Sequence, residues 1–240
     1  MKRLFAVAVA ALAATPAVHA YDLDIKNLAT SGGTQTQFRT FSEDLTAAMA
    51  HRSLEPAEGL GLLGFDVGLS VGATDLGSVT TLRQVANNAD VPGALPTATV
   101  RVTKGLPFDL NVGASYTVIP AAGVNSLGLH GSWAFISGGV LVPAVAVQVH
   151  YNKIKGVNNL DMQTSGVDLA ISKGFAMFTP FAGVGAVATK SQSSFYADES
   201  FTQTRMFAGV NVNLLAMDVT LGVDKTGNNR SASLKVGFRF

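Results

Sequence analysis

The sequence predicts an all-β protein, a transmembrane antiparallel up-and-down β-barrel of about ten strands. Three observations lead to this prediction. Only 14% of the 240 residues are charged, whereas soluble domains typically contain about 25%. From residue 59 onward, apolar and polar residues alternate with the period of a β-strand. In the clear strands, every charged residue falls on the polar side of that alternation.

The first twenty residues have the pattern of a secretory signal peptide. Lys2 and Arg3 precede an apolar run from Leu4 to Ala14, and Val18 to Ala20 offers small residues at the cleavage positions. The run is shorter than the roughly 20 residues that a membrane-spanning helix needs, and no later apolar run reaches that length. We therefore expect an exported protein from which residues 1–20 are removed.

The composition excludes several kinds of function. No cysteine is present, so disulfides, thiolate chemistry, cysteine-based zinc sites and a lipoprotein anchor are ruled out. The formal charge of +1 provides no basic field for nucleic acid. We expect neither a nucleic-acid partner nor a cofactor.

Residues 21–59 are predicted to form a periplasmic segment with one short amphipathic helix at about 40–53. The residues before it are polar and are expected to be irregular. The helical spacing and end signals come from Phe38, Thr40, Phe41, Ser42, Leu45, Met49, Pro56 and Gly59. The helix could plug the lumen, lie at the membrane interface or close the periplasmic mouth. We favour packing at the periplasmic end, because an apolar face would fit poorly in a polar lumen.

Residues 60–240 are predicted to form the barrel. The alternating stretches are 63–72, 97–102, 107–118, 126–135, 144–152, 166–172, 179–189, 204–213, 216–224 and 233–240. The longer links are expected outside the cell, at 73–96, 119–126, 153–161, 190–202 and 225–230, and the shorter ones in the periplasm. The last strand must pair with the first, because a barrel in lipid tolerates no open edge.

The polar face of the strands is rich in Gly, Ser, Ala, Thr and Asn, as expected inside a small barrel. The predicted lumen-facing residues are Asp66, Arg101, Asp109, His130, His150, Asp168, Arg205, Asp218, Asp224, Lys235 and Arg239. Because buried charges need partners, we favour a ladder of salt bridges that holds the strands in register. The alternative is a polar path for small solutes.

The signal peptide, the long alternating strands and the final VGFRF together resemble bacterial (Gram-negative) outer-membrane β-barrel proteins. The resemblance covers residues 60–240 and identifies no subfamily. It implies location in the cell outer membrane, with lipid and lipopolysaccharide as surroundings. It also implies that Val236, Phe238 and Phe240 belong to a C-terminal signal read by the barrel-assembly machinery.

Two constellations of polar residues raise the question of chemistry. His130 and Ser132 lie on one strand face, where a histidine could activate a serine; the pair is similar to that of an outer-membrane lipid A deacylase. No strand glutamate is available to orient the histidine, although Asp168 or Asp218 could do so. His130 and His150 could meet across strands, but two imidazoles alone make a weak metal site. We favour lumen-lining roles and expect no catalytic or metal site.

The predicted function is a narrow channel or transporter-like barrel for small or apolar solutes, and not an enzyme. One alternative is a structural or surface-interaction barrel whose loops at 73–96 and 190–202 are contact sites. A less favoured alternative is a membrane lipid hydrolase that uses His130 and Ser132.

Overall fold

The structure, a computed structural model, describes residues 21–215 and 217–240. The predicted signal peptide, residues 1–20, lies outside the described residues. Within the described part of the chain, no helix is long and apolar enough to cross a membrane.

Ten antiparallel strands close into a barrel, which confirms the predicted architecture and strand number. They are β1 (Phe65–Asp75), β2 (Ala94–Leu106), β3 (Leu110–Ile119), β4 (Val124–Ser137), β5 (Ala144–Lys155), β6 (Leu160–Ser172), β7 (Phe178–Ser193), β8 (Glu199–Leu214), β9 (Met217–Thr226) and β10 (Asn229–Arg239). The shortest strands have 10 residues and the longest 16, enough to cross a bilayer at a tilt.

The seam of the barrel joins the first strand to the last, as predicted. Asp66 pairs with Arg239 in the register, and Val67 with Phe238. Beyond them, the Phe65 and Phe240 backbones exchange two hydrogen bonds, of 3.1 and 3.0 Å. The closed seam leaves no strand edge exposed to lipid.

The barrel has two ends, which we call the terminal end and the far end. The terminal end holds Phe65 and Phe240 and the links at 107–109, 138–143, 173–177 and Leu215. The far end holds the links at 76–93, 120–123, 156–159, 194–198 and 227–228. Most strands extend further than predicted, so the far-end links are shorter than expected. Only the link at 76–93 remains long.

The two faces of the barrel wall differ sharply in polarity. Large apolar side chains such as Leu69, Leu129 and Met206 are exposed on the outside. Charged side chains such as Arg205 and Lys235 are almost fully buried inside. A soluble protein has the opposite distribution of charged and apolar side chains. The distribution observed here suits a barrel surrounded by hydrocarbon.

The described residues contain three helices: α1 (Ile25–Thr30), α2 (Gln35–Met49) and α3 (Val79–Val85). The helix predicted at 40–53 is α2, and its predicted bounds are wrong at both ends. It begins earlier because Thr34 and Gln37 form a reciprocal capping box. It ends at Met49, before Pro56 and Gly59, because Ala50 takes an extended backbone conformation with ψ 157°. Residues 21–34, expected to be irregular, contain α1 and a two-residue parallel pairing of Leu23–Asp24 with Val157–Asn158.

Helix α2 packs at the far end, so the prediction that it packs at the end holding the barrel's termini is wrong. Its apolar face is covered by a hydrophobic core built there from residues 21–49, the far-end links and the adjoining ends of the strands. We call residues 21–49 together with 76–93 the cap. The buried core residues are Tyr21, Leu23, Ile25, Leu28, Phe38, Phe41, Leu45, Ala48, Met49, Leu82, Val85, Ala86, Val91, Leu95, Ile119, Ala122, Val124, Ile154, Val157 and Met162.

Candidate functional site

The lumen is occupied by the chain itself. After α2, residues 50–64, which we call the lumen segment, run from the far end back to the terminal end, where β1 begins. The His51 N–H donates to Asn152 Oδ1 (3.2 Å), the Ala57 N–H to Ser172 Oγ (2.9 Å) and the Leu60 N–H to Asn111 Oδ1 (2.9 Å). The inward polar residues of the wall therefore pair with the backbone of this segment.

The last turns of α2 also enter the far mouth of the barrel. The hydroxyls of Ser42 and Ser191 are 2.9 Å apart, and so are those of Thr46 and Thr189. All four residues are buried. Small hydroxyl side chains on both sides let the helix lie directly against strand β7.

The buried charges form pairs between strands and across to the lumen segment. Lys235 Nζ lies 2.5 Å from Asp66 Oδ2 and 3.2 Å from Asp218 Oδ2. The other lumen pairs are Arg52–Asp224 (3.6 Å), Arg101–Glu55 (3.5 Å) and Arg205–Asp168 (3.4 Å). Arg239 also pairs with Glu58 (3.0 Å), whose side chain is partly exposed. Three of these five groupings use a partner from the lumen segment.

Two arginines of the wall also hold the backbone of the lumen segment. Arg205 Nη1 donates to the carbonyl of His51, and Arg101 Nη2 donates to the carbonyl of Arg52 (2.7 Å). A carbonyl removed from water needs such a donor, because an unpaired one costs free energy. The inward charges therefore fix the lumen segment as well as the strand register.

Sequence reasoning missed the lumen segment's own contributions, which are His51, Arg52, Glu55 and Glu58. They lie outside the strand periodicity that identified the other residues. The sequence did contain one signal. These four ionisable residues lie close together, immediately before a barrel whose interior is charged.

Asp109 does not belong to the lumen-facing strand residues among which it was predicted. It lies in the turn between β2 and β3, where Phe108 and Asp109 both have positive φ (63° and 55°). Its carboxylate accepts a hydrogen bond of 2.5 Å from Ser137 Oγ at the terminal end. The chain turns here because Pro107 interrupts the ladder.

Three histidines meet at mid-lumen. The His51 ring lies between those of His130 (4.7 Å between centroids) and His150 (5.2 Å). His130 Nε2 is 3.0 Å from Thr103 Oγ1, and His150 Nε2 is 3.4 Å from Asp168 Oδ2.

The Nε2 atoms of His130 and His150 thus face different residues of the wall, Thr103 and Asp168, rather than a shared point. In residues 21–215 and 217–240, no group of three or more His, Asp or Glu side chains is arranged to hold a metal ion.

His130 and Ser132 take part in separate hydrogen bonds. Ser132 Oγ accepts from Asn111 Nδ2 at 3.0 Å, whereas His130 Nε2 bonds Thr103. Among the hydrogen bonds of the described residues, none joins His130 to Ser132. This arrangement does not poise the serine hydroxyl against the imidazole.

Two cavities enclosed beside the lumen segment are very small, at about 10 Å³ each. One is bordered by His51, Thr99 and Arg101, and the other by Glu55, His130 and Gln148. A volume of this size accommodates about one water molecule. These spaces fit water and not a solute.

The closed antiparallel barrel, with its apolar outside and charged, filled inside, decides the class. This is a transmembrane β-barrel of the outer-membrane type. In lipid, closure is what satisfies the backbone of every strand, and the outward apolar band with a polar interior is the pattern of outer-membrane barrels.

Comparisons of the chain with known proteins give only distant likenesses to solved structures. No protein-family model and no curated protein sequence matches the chain. Among solved structures, Omp33 of Acinetobacter baumannii is similar at 13% identity and a TM-score of 0.33, over 75% of this chain and 100% of that one. The KdgM porin is similar at 7% identity and 0.39, over 73% and 99%. Ail of Yersinia pestis is similar at 12% identity and 0.28, over 76% and 99%.

Proposed function

We propose that this outer-membrane barrel is sealed by its own N-terminal residues and works as a structural or surface-interaction barrel through its capped far end. One observation supports this more than any other. The lumen segment runs the length of the barrel, and the two cavities described beside it are of the size of a water molecule. Neither of these two cavities has room for a solute.

The energetics of the cap favour the sealed state. Nine of the core residues belong to residues 21–49, and they include Phe38, Leu45 and Met49, each at most 1% exposed. Burying one such large side chain contributes about 1.5–3 kcal/mol. Opening the far mouth would expose several at once, so a spontaneously open state is strongly disfavoured.

The loops predicted as contact surfaces contribute to the cap. In the link at 76–93, Leu82 and Val85 are buried in the core. In the hairpin around 190–202, Tyr196 stacks on Phe38 with ring centroids 5.0 Å apart and planes 8° from parallel. The surface that the far end presents is therefore a packed one, shared between these loops and residues 21–49.

A gated channel is the second candidate, because the lumen segment is held by polar contacts to a polar wall. If that segment withdrew, water could solvate the charged groups it leaves behind. The solute would then be small, as a ten-stranded barrel allows. This candidate requires the cap to move.

An engineered disulfide between the cap and the wall distinguishes the two candidates. The chain has no cysteine, and the hydroxyls of Ser42 and Ser191 are 2.9 Å apart, so Ser42→Cys with Ser191→Cys places two thiols within bonding reach. Conductance in planar bilayers is measured with the pair oxidised and then reduced, with Ser42→Cys alone as the control. We expect no conductance in either state. Discrete conductance that appears only after reduction would refute the sealed barrel and establish a gated channel.

The proposal gives His130 and Ser132 no catalytic role, since their hydrogen bonds run to Thr103 and Asn111. It retains lipid and lipopolysaccharide as the surroundings of the outer face. It also retains Val236, Phe238 and Phe240 as the signal for the assembly machinery. Phe238 and Phe240 are exposed on the outside of the seam, where another protein could reach them during assembly.

A further inference from the structure

The links at the terminal end carry unusually exposed apolar side chains. Val140 is 94% exposed, Leu215 98% and Phe108 87%. We call the whole set the apolar rim: Leu62, Leu63, Phe108, Val140, Leu141, Phe175, Leu215 and Phe240. Every link at this end contributes at least one member. Turns that face water are normally built from Gly, Asn, Asp, Ser and Pro, so this rim does not suit an aqueous boundary.

The far-end turns offer a direct contrast. The shortest of them, between β9 and β10, is Gly227-Asn228, and the turn after β5 contains Gly156 and Asn159. These are ordinary residues for turns in water. The terminal-end links also contain turn residues such as Pro107, Asp109 and Gly138, so the two ends differ mainly in the large apolar side chains that their links expose.

Two lysines at the terminal end are used to satisfy backbone carbonyls of the links. Lys173 Nζ donates to the carbonyls of Gly139 (2.6 Å), Val140 (2.7 Å) and Val142 (3.3 Å). Lys104 Nζ donates to those of Leu62 (2.6 Å) and Gly64 (3.0 Å). In water these carbonyls would need no such partner, but near hydrocarbon each unpaired carbonyl is costly. The backbone carbonyls of Leu62 and Val140, two members of the rim, are thus already paired.

The rim is continuous with the lipid-facing band of the strands. Trp133 and Phe135 are exposed on β4, with ring centroids 6.0 Å apart, and Phe178 is exposed at the start of β7. Phe65 and Phe240 pack together at the seam, 4.8 Å between centroids. No band of outward charge separates these aromatics from the rim, because the nearby ammonium groups of Lys104 and Lys173 turn back onto the links.

We propose that the links at the terminal end are immersed in the phospholipid leaflet that they face, so that the bilayer itself covers the apolar rim. The partner is a lipid surface, and the two lysines serve the link backbone at the level of the headgroups. The proposal is independent of whether the lumen conducts.

Single cysteines test the immersion directly, because the chain has none of its own. Leu141→Cys and Leu215→Cys place a thiol on the rim, and Asn228→Cys places one on a far-end turn as the matched control. Each protein is labelled with the polarity-sensitive fluorophore NBD, folded into phosphatidylcholine vesicles, and checked for heat-modifiable migration on a gel. Iodide, present on both sides of the membrane, then quenches the label from water, and nitroxide-bearing lipid quenches it from the bilayer.

We expect the labels at 141 and 215 to emit further to the blue than the label at 228. We also expect them to be severalfold less sensitive to iodide and severalfold more sensitive to the lipid nitroxide. If iodide quenches all three labels equally, the rim lies in water and the proposal fails; the surface would then be a docking site for a soluble partner.

A label-free variant guards against an effect of the fluorophore. Leu141→Glu with Leu215→Glu should slow folding into vesicles severalfold and leave folding into detergent micelles unchanged. Equal folding rates of this variant and the parent in vesicles would overturn the immersion.

Discussion

Replacing Lys235 by Met tests whether the lumen is a dry, low-dielectric interior. Lys235 is 1% exposed, and its ammonium lies between the carboxylates of Asp66 and Asp218, both fully buried. Its stem runs close to Gly68, where a Cβ would meet Lys235 Cε at 2.5 Å. Methionine keeps most of that volume and removes only the charge.

The substitution leaves two buried carboxylates without their cation. Breaking a buried ion pair by removing one partner costs about 3–5 kcal/mol, so the free energy of unfolding should fall by that amount. The measurement is urea-induced unfolding in phospholipid vesicles at neutral pH.

The matched control neutralises the whole group, with Lys235→Met, Asp66→Asn and Asp218→Asn in one chain. Replacing all members of a buried ionic group is often close to neutral, so this variant should recover most of the loss. A solvent-exposed ion pair contributes less than about 1 kcal/mol. If Lys235→Met alone lowers the free energy of unfolding by less than this, water reaches the lumen and the filled interior is refuted.

Two further predictions concern the cap and the wall. Phe38→Ala should destabilise the cap by about 3–5 kcal/mol, seen as faster proteolysis of residues 21–49 while the barrel still migrates as a folded species. Gly209→Ala should cost about 1–3 kcal/mol from overpacking, measured by unfolding, because its Cβ would lie 2.4 Å from Phe181 Cζ; normal stability would mean that this ring is free to move.

The barrel was predictable because the two faces of each strand meet different surroundings throughout the membrane. Leu129 and Tyr151 face outward while His130 and Asn152 face inward, and this contrast can be read from the amino-acid sequence alone. The strand ends were not predictable by the same rule. Lys190 and Lys225 lie on the outward parity of β7 and β9, beyond the predicted ends. The hydrogen bonds between strands continue beyond the hydrocarbon layer. The alternation of apolar and polar residues, from which the strands were predicted, ends with that layer.

The parity of β7 was ambiguous in the sequence for a packing reason. Phe181 and Phe207 point inward although the wall is polar, and each covers a glycine of the neighbouring strand, Gly209 and Gly183 respectively. They join Ala57 of the lumen segment in a small apolar cluster near the terminal end. In the sequence, an aromatic residue at an inward-facing position contradicts the polar pattern of the wall. The glycine on the neighbouring strand explains it, because it leaves room for the ring.

The cap and the lumen segment could not be derived from local patterns. The core that covers α2 combines Tyr21, Val85, Ile119, Ile154 and Met162, which come from widely separated parts of the chain. The lumen segment has no periodicity, because its neighbours are the inward residues of many strands in turn. The argument that an apolar helix face fits poorly in a polar lumen was sound physically. It led to the wrong end because the far-end links supply an apolar partner of their own.

The path of residues 50–64 constrains the order in which the molecule can be assembled. Residues 21–49 sit at one mouth, and the strand that follows them starts at the other. An α-helix with its side chains is about 10–12 Å across, whereas the cavities described beside the lumen segment in residues 21–215 and 217–240 are only about 10 Å³ each. The helices must therefore be threaded across while β1 and β10 are still apart. The pairing of β1 with β10, for example of Val67 with Phe238, is then the last step of assembly. If this seam closed before the helices had crossed, the helices would remain on the wrong side of the membrane.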